Sequence, residues 1–136
     1  MLGFVLTLAA AFMGSDAPST PLRVEVRCPS APVASGEPVP LTLVVTNTSD
    51  APVALHFNSS QRFDFELRSA SGMSVWSWAS ERVFLQVLGM ETIAPNRSLE
   101  YTDKYIGGLP AGSYQVIGRV TSREPMPPAT CTLTLR

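Results

Sequence analysis

A chain of 136 residues has room for one ordinary domain, not two, and can bury a real core without a metal or a dense set of disulfides. Its charges are sparse and nearly balanced, with a net charge of -1, which excludes the basic stripe of an electrostatic nucleic-acid binder. One histidine and two widely spaced cysteines exclude a zinc knuckle and a redox CxxC pair, so no metal and no cofactor is expected.

Residues 2–14 (LGFVLTLAAAFMG) are apolar and uncharged. The run is shorter than the roughly 20 residues a membrane-spanning helix needs, and it has the length of a signal-peptide apolar region. No Lys or Arg precedes it and no clean small-x-small cleavage site follows. The expectation is a leader and linker over residues 1–20, a folded domain over 21–136, and export to the periplasm, cell envelope or medium. The alternative is a cytoplasmic protein whose apolar run is an extra strand or a disordered leader.

Alternation of apolar and polar residues then marks strand after strand. Leu22, Val24, Val26 and Cys28 share one face of the first; a proline-rich edge segment and turn follow over 29–40. Leu41, Leu43 and Val45 line the next strand, residues 47–50 turn the chain, and Val53, Leu55 and Phe57 line the third. Phe63, Phe65 and Leu67 face inward on the fourth, and residues 69–72 form a hairpin turn into a fifth strand over 73–78. Residues 81–90 (ERVFLQVLGM) have neither period and read as irregular extended chain. A strand over 98–105 follows. The next runs over 113–122, with Tyr114, Val116, Gly118 and Val120 inward, and the last over 129–135, with Cys131, Leu133 and Leu135 inward. Tyr114 stands after a corner at the start of the penultimate strand, as in the tyrosine corner of Greek-key sandwiches. Seven to nine short strands without a convincing helix predict an all-β, immunoglobulin-like antiparallel β-sandwich.

In such a sandwich the first strand often crosses over so that its second half runs parallel to the last strand. Here that half falls at about 30–34, which puts Cys28 beside Cys131; without the crossover the two are too far apart to bridge. The cysteines are therefore either buried thiols or a disulfide, and export favours the disulfide.

Trp76 and Trp78 stand two apart, on one face of one strand, near Phe57, Phe63 and Phe65. They read either as core and edge packing with each indole N–H bonded, or as an exposed aromatic contact for a partner. Residues 47–50 (NTSD), Phe57, Gln61, then Phe63-Asp64-Phe65, Gly72 and Val75-Trp76-Ser77-Trp78 form an ordered signature. It continues with Phe84, Gln86, Ile93-Ala94-Pro95 and Gly112-Ser113-Tyr114, and as a whole it resembles that of the BsuPI-type intracellular proteinase inhibitors. The resemblance implies a non-enzymatic protein that inhibits a serine, subtilisin-type protease without covalent chemistry; it implies no particular contact residues.

The residues themselves agree that no enzyme is evident. His56 alternates away from Leu55 and Phe57 and has no triad partner, and Asp64 and Glu66 read as a solvated charge ladder between Arg62 and Arg68. Gln61 and Asp64 read as groups that satisfy turn backbone. The segment Arg123, Glu124, Pro125, Met126 and Pro127 is a candidate contact loop, because prolines hold a loop extended and reduce the entropy lost on binding. Its other reading is a plain connection with prolines guarding a sheet edge. The partner is thus a protein, a protease by resemblance; the rival function is an exported immunoglobulin-like binding or assembly module of the cell envelope. Unpaired edges would permit a dimer, but nothing in the sequence requires one.

Overall fold

The structure, a computed structural model, describes residues 21–136; the expected leader lies outside the described residues. Nine strands follow one another: β1 (Leu22–Arg27), β2 (Val39–Asn47), β3 (Val53–Phe57), β4 (Phe63–Arg68), β5 (Ser74–Ser77), β6 (Gly89–Ile93), β7 (Ser98–Tyr105), β8 (Gly112–Val120) and β9 (Ala129–Leu135). They form an antiparallel sheet β1-β2-β7, a second sheet β5-β4-β8-β9 and a two-stranded sheet β3-β6. This is the immunoglobulin-like sandwich expected from the strand pattern.

The alternating residues meet between the layers. Val26, Leu41 and Leu43 from one sheet pack with Phe65, Leu67, Val116, Leu133 and Leu135 from the other, all buried. Gly118 of β8 lies where the layers come closest: a Cβ there would stand 2.8 Å from Leu43 Cδ1 and 3.3 Å from Val26. Val45, Leu55, Phe57 and Ile93 form a separate buried cluster beneath β3 and β6. Phe57 belongs to this second cluster and not to the tryptophan neighbourhood where its aromatic character alone would put it.

The main departures from the periodicity are three. β2 begins at Val39 and so contains Pro40. Pro40 pairs with Lys104 of β7 on one side, while β1 reaches only as far as Thr42 on the other, so the missing N–H interrupts no ladder. β5 ends at Ser77, and Trp78 opens a 3-10 turn over Ala79–Glu81. β6, unannounced by any alternation, pairs along its whole length with β3.

After β1 the chain does cross over. Val33 makes a parallel bridge to Leu135, with Val33 N–H donating to Thr134 O and Arg136 N–H donating to Val33 O, each at 2.9 Å. Cys28 precedes this crossing and is joined to Cys131 of β9, with Cα atoms 6.3 Å apart. Tyr114 O–H donates to Pro110 O at 2.7 Å and closes the corner before β8.

Asn47, at the end of β2, is fully buried and fully bonded. Its Nδ2 donates to Ala51 O at 2.7 Å and Ile93 O at 2.9 Å, and its Oδ1 accepts from Ser49 N at 2.9 Å. One side chain thereby ties together the β2–β3 turn and the end of β6.

Candidate functional site

Trp78 is 7% exposed. It stacks on Phe63 at 4.2 Å, and Phe63 in turn stacks on Tyr101 at 5.1 Å. Its indole N–H donates to Asp103 Oδ2 at 2.7 Å. Trp76, half-buried, meets the Tyr105 ring edge-on at 5.0 Å and donates to Glu81 Oε1 at 3.2 Å. Both tryptophans thus pack on the main core with their N–H groups bonded, and neither stands free as an aromatic contact.

What Trp78 supports is more exposed. The chain from Arg82 to β6 runs over it as an irregular strap. The Arg82 guanidinium lies 4.3 Å above the Trp78 ring and donates to Asp103 Oδ2 at 2.7 Å. Burial pushes the Asp103 carboxyl up, but the bonds from Arg82 and Trp78 outweigh it and hold the group below the usual carboxylate range. Phe84 turns inward against Trp78, with ring centres 5.8 Å apart. Next, Leu85 is clamped by Ser60: Leu85 N–H donates to the Ser60 hydroxyl, and Leu85 O accepts from Ser60 N–H, each at 2.9 Å.

At the far end, Arg62 bolts the base of the strap. It donates to Glu91 Oε2 at 2.6 Å and to Ser59 O at 3.0 Å, and lies 4.5 Å over the Phe57 ring. Its guanidinium fills the space beside Gly89, where a Cβ would come within 2.5 Å of Nη2.

Between these anchors the strap turns apolar side chains to solvent. Val83 is 95% exposed, Leu85 67%, Val87 52% and Leu88 79%. Isolated exposed apolar residues need no explanation, but four within six residues is a local concentration of exposed apolar surface, the kind of feature that marks contact sites. Nothing in the linear pattern pointed here. Of the partners that hold the strap outward, Ser60, Arg62 and Asp103 are remote from it in sequence, and no spacing rule links them to Trp78.

The proline loop joins β8 to β9 on the other cluster. Arg123, Pro125 and Pro127 are exposed, while Glu124 and Met126 are half-buried. Met126 packs against the cluster of Val45, Leu55, Phe57 and Ile93. Glu124 accepts from His56 N–H at 2.8 Å through one oxygen and contacts His56 Nδ1 at 2.7 Å through the other, while Arg123 N–H donates to His56 O at 2.7 Å. The His56 ring foremost, then its N–H, hold the Glu124 carboxyl below the usual range. The loop therefore covers the outer edge of β3, and its middle residues serve the fold. His56 is correspondingly a half-exposed latch rather than a solvated outer residue.

The anticipated charge ladder is also partly dissolved. Glu66 accepts from Arg68 at 3.1 Å and Arg119 at 2.9 Å, whereas Arg62 is committed to Glu91. Asp64 makes no ion pair among the described residues; it caps the 3-10 turn by accepting from Ala79 N–H at 2.9 Å. Its pKa is raised by burial, against opposing bonds from the Ala79 and Phe65 backbone. Gln61 Nε2 donates to Phe63 O at 3.0 Å, a bond to backbone as expected for it. Cys28 and Cys131 are joined and pack on the main core.

A family model described as BsuPI, intracellular proteinase inhibitor, matches residues 28–125. No curated protein matches the chain. Among solved structures, the CARDB domain of the PF1109 protein from Pyrococcus furiosus, in complex with di-metal ions, is similar at 16% identity and a TM-score of 0.50 over 85% of this chain and 87% of that one. The alkylpurine DNA glycosylase AlkC of Pseudomonas fluorescens is similar at 12% identity and a TM-score of 0.50, over 85% of this chain but 30% of the glycosylase. The β-glucosidase EmGH1 of Erythrobacter marinus is similar at 10% identity and a TM-score of 0.50, over 92% of this chain and 18% of the enzyme. At these identities the similarities establish the shared fold alone.

Proposed function

The chain belongs to the BsuPI intracellular proteinase inhibitor family, and from that premise we propose that it inhibits a serine protease of subtilisin type by non-covalent occupation of the active site. The observation that carries the reading is the strap over residues 82–88. It is irregular, largely apolar and exposed, and it is fixed by Trp78, Ser60 and Arg62. A loop already held in its bound shape loses little entropy on binding, which is how rigid inhibitors gain affinity. The proline loop, although stiff, has Met126 and Glu124 turned into the fold and is the weaker contact surface.

The family description says intracellular. The apolar run at residues 2–14 and the Cys28–Cys131 pairing support action in an oxidising compartment, and we place the protein there. The test is the initial rate at which a subtilisin-type protease cleaves a small peptide substrate. Competitive inhibition at low protein concentration is expected; an unchanged rate at a large molar excess contradicts the reading and favours the envelope-module alternative.

A further inference from the structure

We propose that residues 86–88 lie in the protease cleft as an added extended strand, with Leu88 in the primary specificity pocket, and that the partner is therefore an endopeptidase selective for large apolar side chains. This rests on the inhibitor reading above and narrows it to one segment and one class of protease.

Three observations place the contact there. First, Leu85 spends both its N–H and its C=O on Ser60, so its backbone is closed to a partner. Immediately beyond it, among the described residues, the backbone N–H and C=O groups of Gln86, Val87 and Leu88 have no partner. An extended segment with free backbone groups is what strand addition uses: the main chain supplies the hydrogen bonds and the side chains supply the selectivity. The segment runs into β6, which pairs only with β3 among the described strands, so the free edge continues past it.

Second, Leu88 is the most exposed of the three apolar residues Leu85, Val87 and Leu88, at 79%. The residue after it is held fast, since Gly89 begins the β6 ladder and leaves room for the Arg62 guanidinium. A projecting side chain followed by a fixed backbone is suited to plugging a pocket without yielding.

Third, no charged residue occurs between Arg82 and Glu91. A pocket built around a carboxylate for Lys or Arg would lose its ion pair to Leu88 and keep a buried, unpaired charge, which is costly. An apolar pocket carries no such penalty.

The experiment compares inhibition of subtilisin and of trypsin by the full protein, by Leu88→Arg and by Met73→Arg. Met73 is an exposed apolar residue on the β4–β5 hairpin, outside the strap, and serves as the control for adding an arginine. Thermal melting confirms that each variant is folded. The wild type is expected to inhibit subtilisin and not trypsin. Leu88→Arg should lose at least about tenfold against subtilisin, or roughly 1.4 kcal/mol, and gain measurable inhibition of trypsin. Met73→Arg should behave as wild type.

A folded Leu88→Arg variant that still inhibits subtilisin fully overturns this inference and leaves the inhibitor reading standing. Failure of the wild type against both proteases overturns both. A concentration-dependent dimer of the wild type that Leu88→Arg dissociates, with no effect on inhibition, would reassign the strap to self-association and also overturn the inference.

Discussion

Asn47 shows how much one polar side chain carries in this sandwich. It is the one buried polar residue among the described ones, and its donors and acceptor satisfy Ala51 O, Ile93 O and Ser49 N. Removing it leaves those groups unpaired in a site closed to water, so Asn47→Ala should cost about 2–4 kcal/mol in a urea titration. A loss well below 1 kcal/mol would show that the turn repacks. Glu66 gives a pH signature. The Arg68 bond foremost, against an opposing desolvation effect and with help from Ser74 and Arg119, holds its pKa at about 2 in the fold, from an ordinary 4.5. A depressed folded value contributes stability that is present above the ordinary pKa and lost as pH falls towards the folded one. The wild type should therefore lose stability between about pH 4.5 and pH 2, and Glu66→Gln should lack that part of the loss. Parallel pH curves for the two proteins would contradict it. Asp64, whose folded pKa is raised by burial, works in the opposite direction. A turn at Asn47 was legible from its Asn-Thr-Ser-Asp run; its complete burial was not, because Ile93 lies 46 positions away.

Among the elements, every strand but β6 was readable, and the loops were harder to read. Alternation placed Phe65, Leu67, Val116 and Leu133 inward because a half-buried strand forces that pattern, and all four are buried. The strap defeated the same logic. Its residues follow neither period, so nothing in the sequence sets which of them face water; Val83 and Leu88 do, while Phe84, Ser60 and Arg62 anchor the segment to the fold. The proline loop admitted two readings, a stiff contact and a plain connection guarding a sheet edge. Met126 packs against the second cluster and Glu124 latches to His56, which favours the second. Met126→Asp would set a carboxylate against Val45, Leu55, Phe57 and Ile93. It should destabilise the fold by about 2–4 kcal/mol by chemical denaturation. A variant as stable as wild type would mean that Met126 leaves the cluster easily, and would restore the loop as a contact candidate.

At the scale of the molecule, the Cys28–Cys131 link closes a loop across nearly the whole domain, with a sequence separation of 103. In the chain-entropy view such a loop stabilises by up to roughly 5 kcal/mol. Protein isolated from its native source, denatured without reductant, should show no free thiol, and reduction should lower its denaturation midpoint. Two titratable thiols would argue against both the link and the oxidising compartment. The crossover that brings the two cysteines together follows from fold class and inward parity, so this part of the architecture was readable before the structure. The exposed strap was not, since it arises where the β3–β4 loop, the residue after β5 and Asp103 of β7 converge on a segment with no period of its own.

The central claim is that this sandwich occupies a protease active site, and binding to an open and a blocked protease tests it most directly. Titration calorimetry of the protein into a subtilisin-type protease should give a one-to-one complex. The same protease, its cleft filled by a covalent peptidyl chloromethyl ketone, should give none, because the strap and the blocking peptide need the same edge. Absence of binding to the open protease, or equal binding to both forms, would contradict the account.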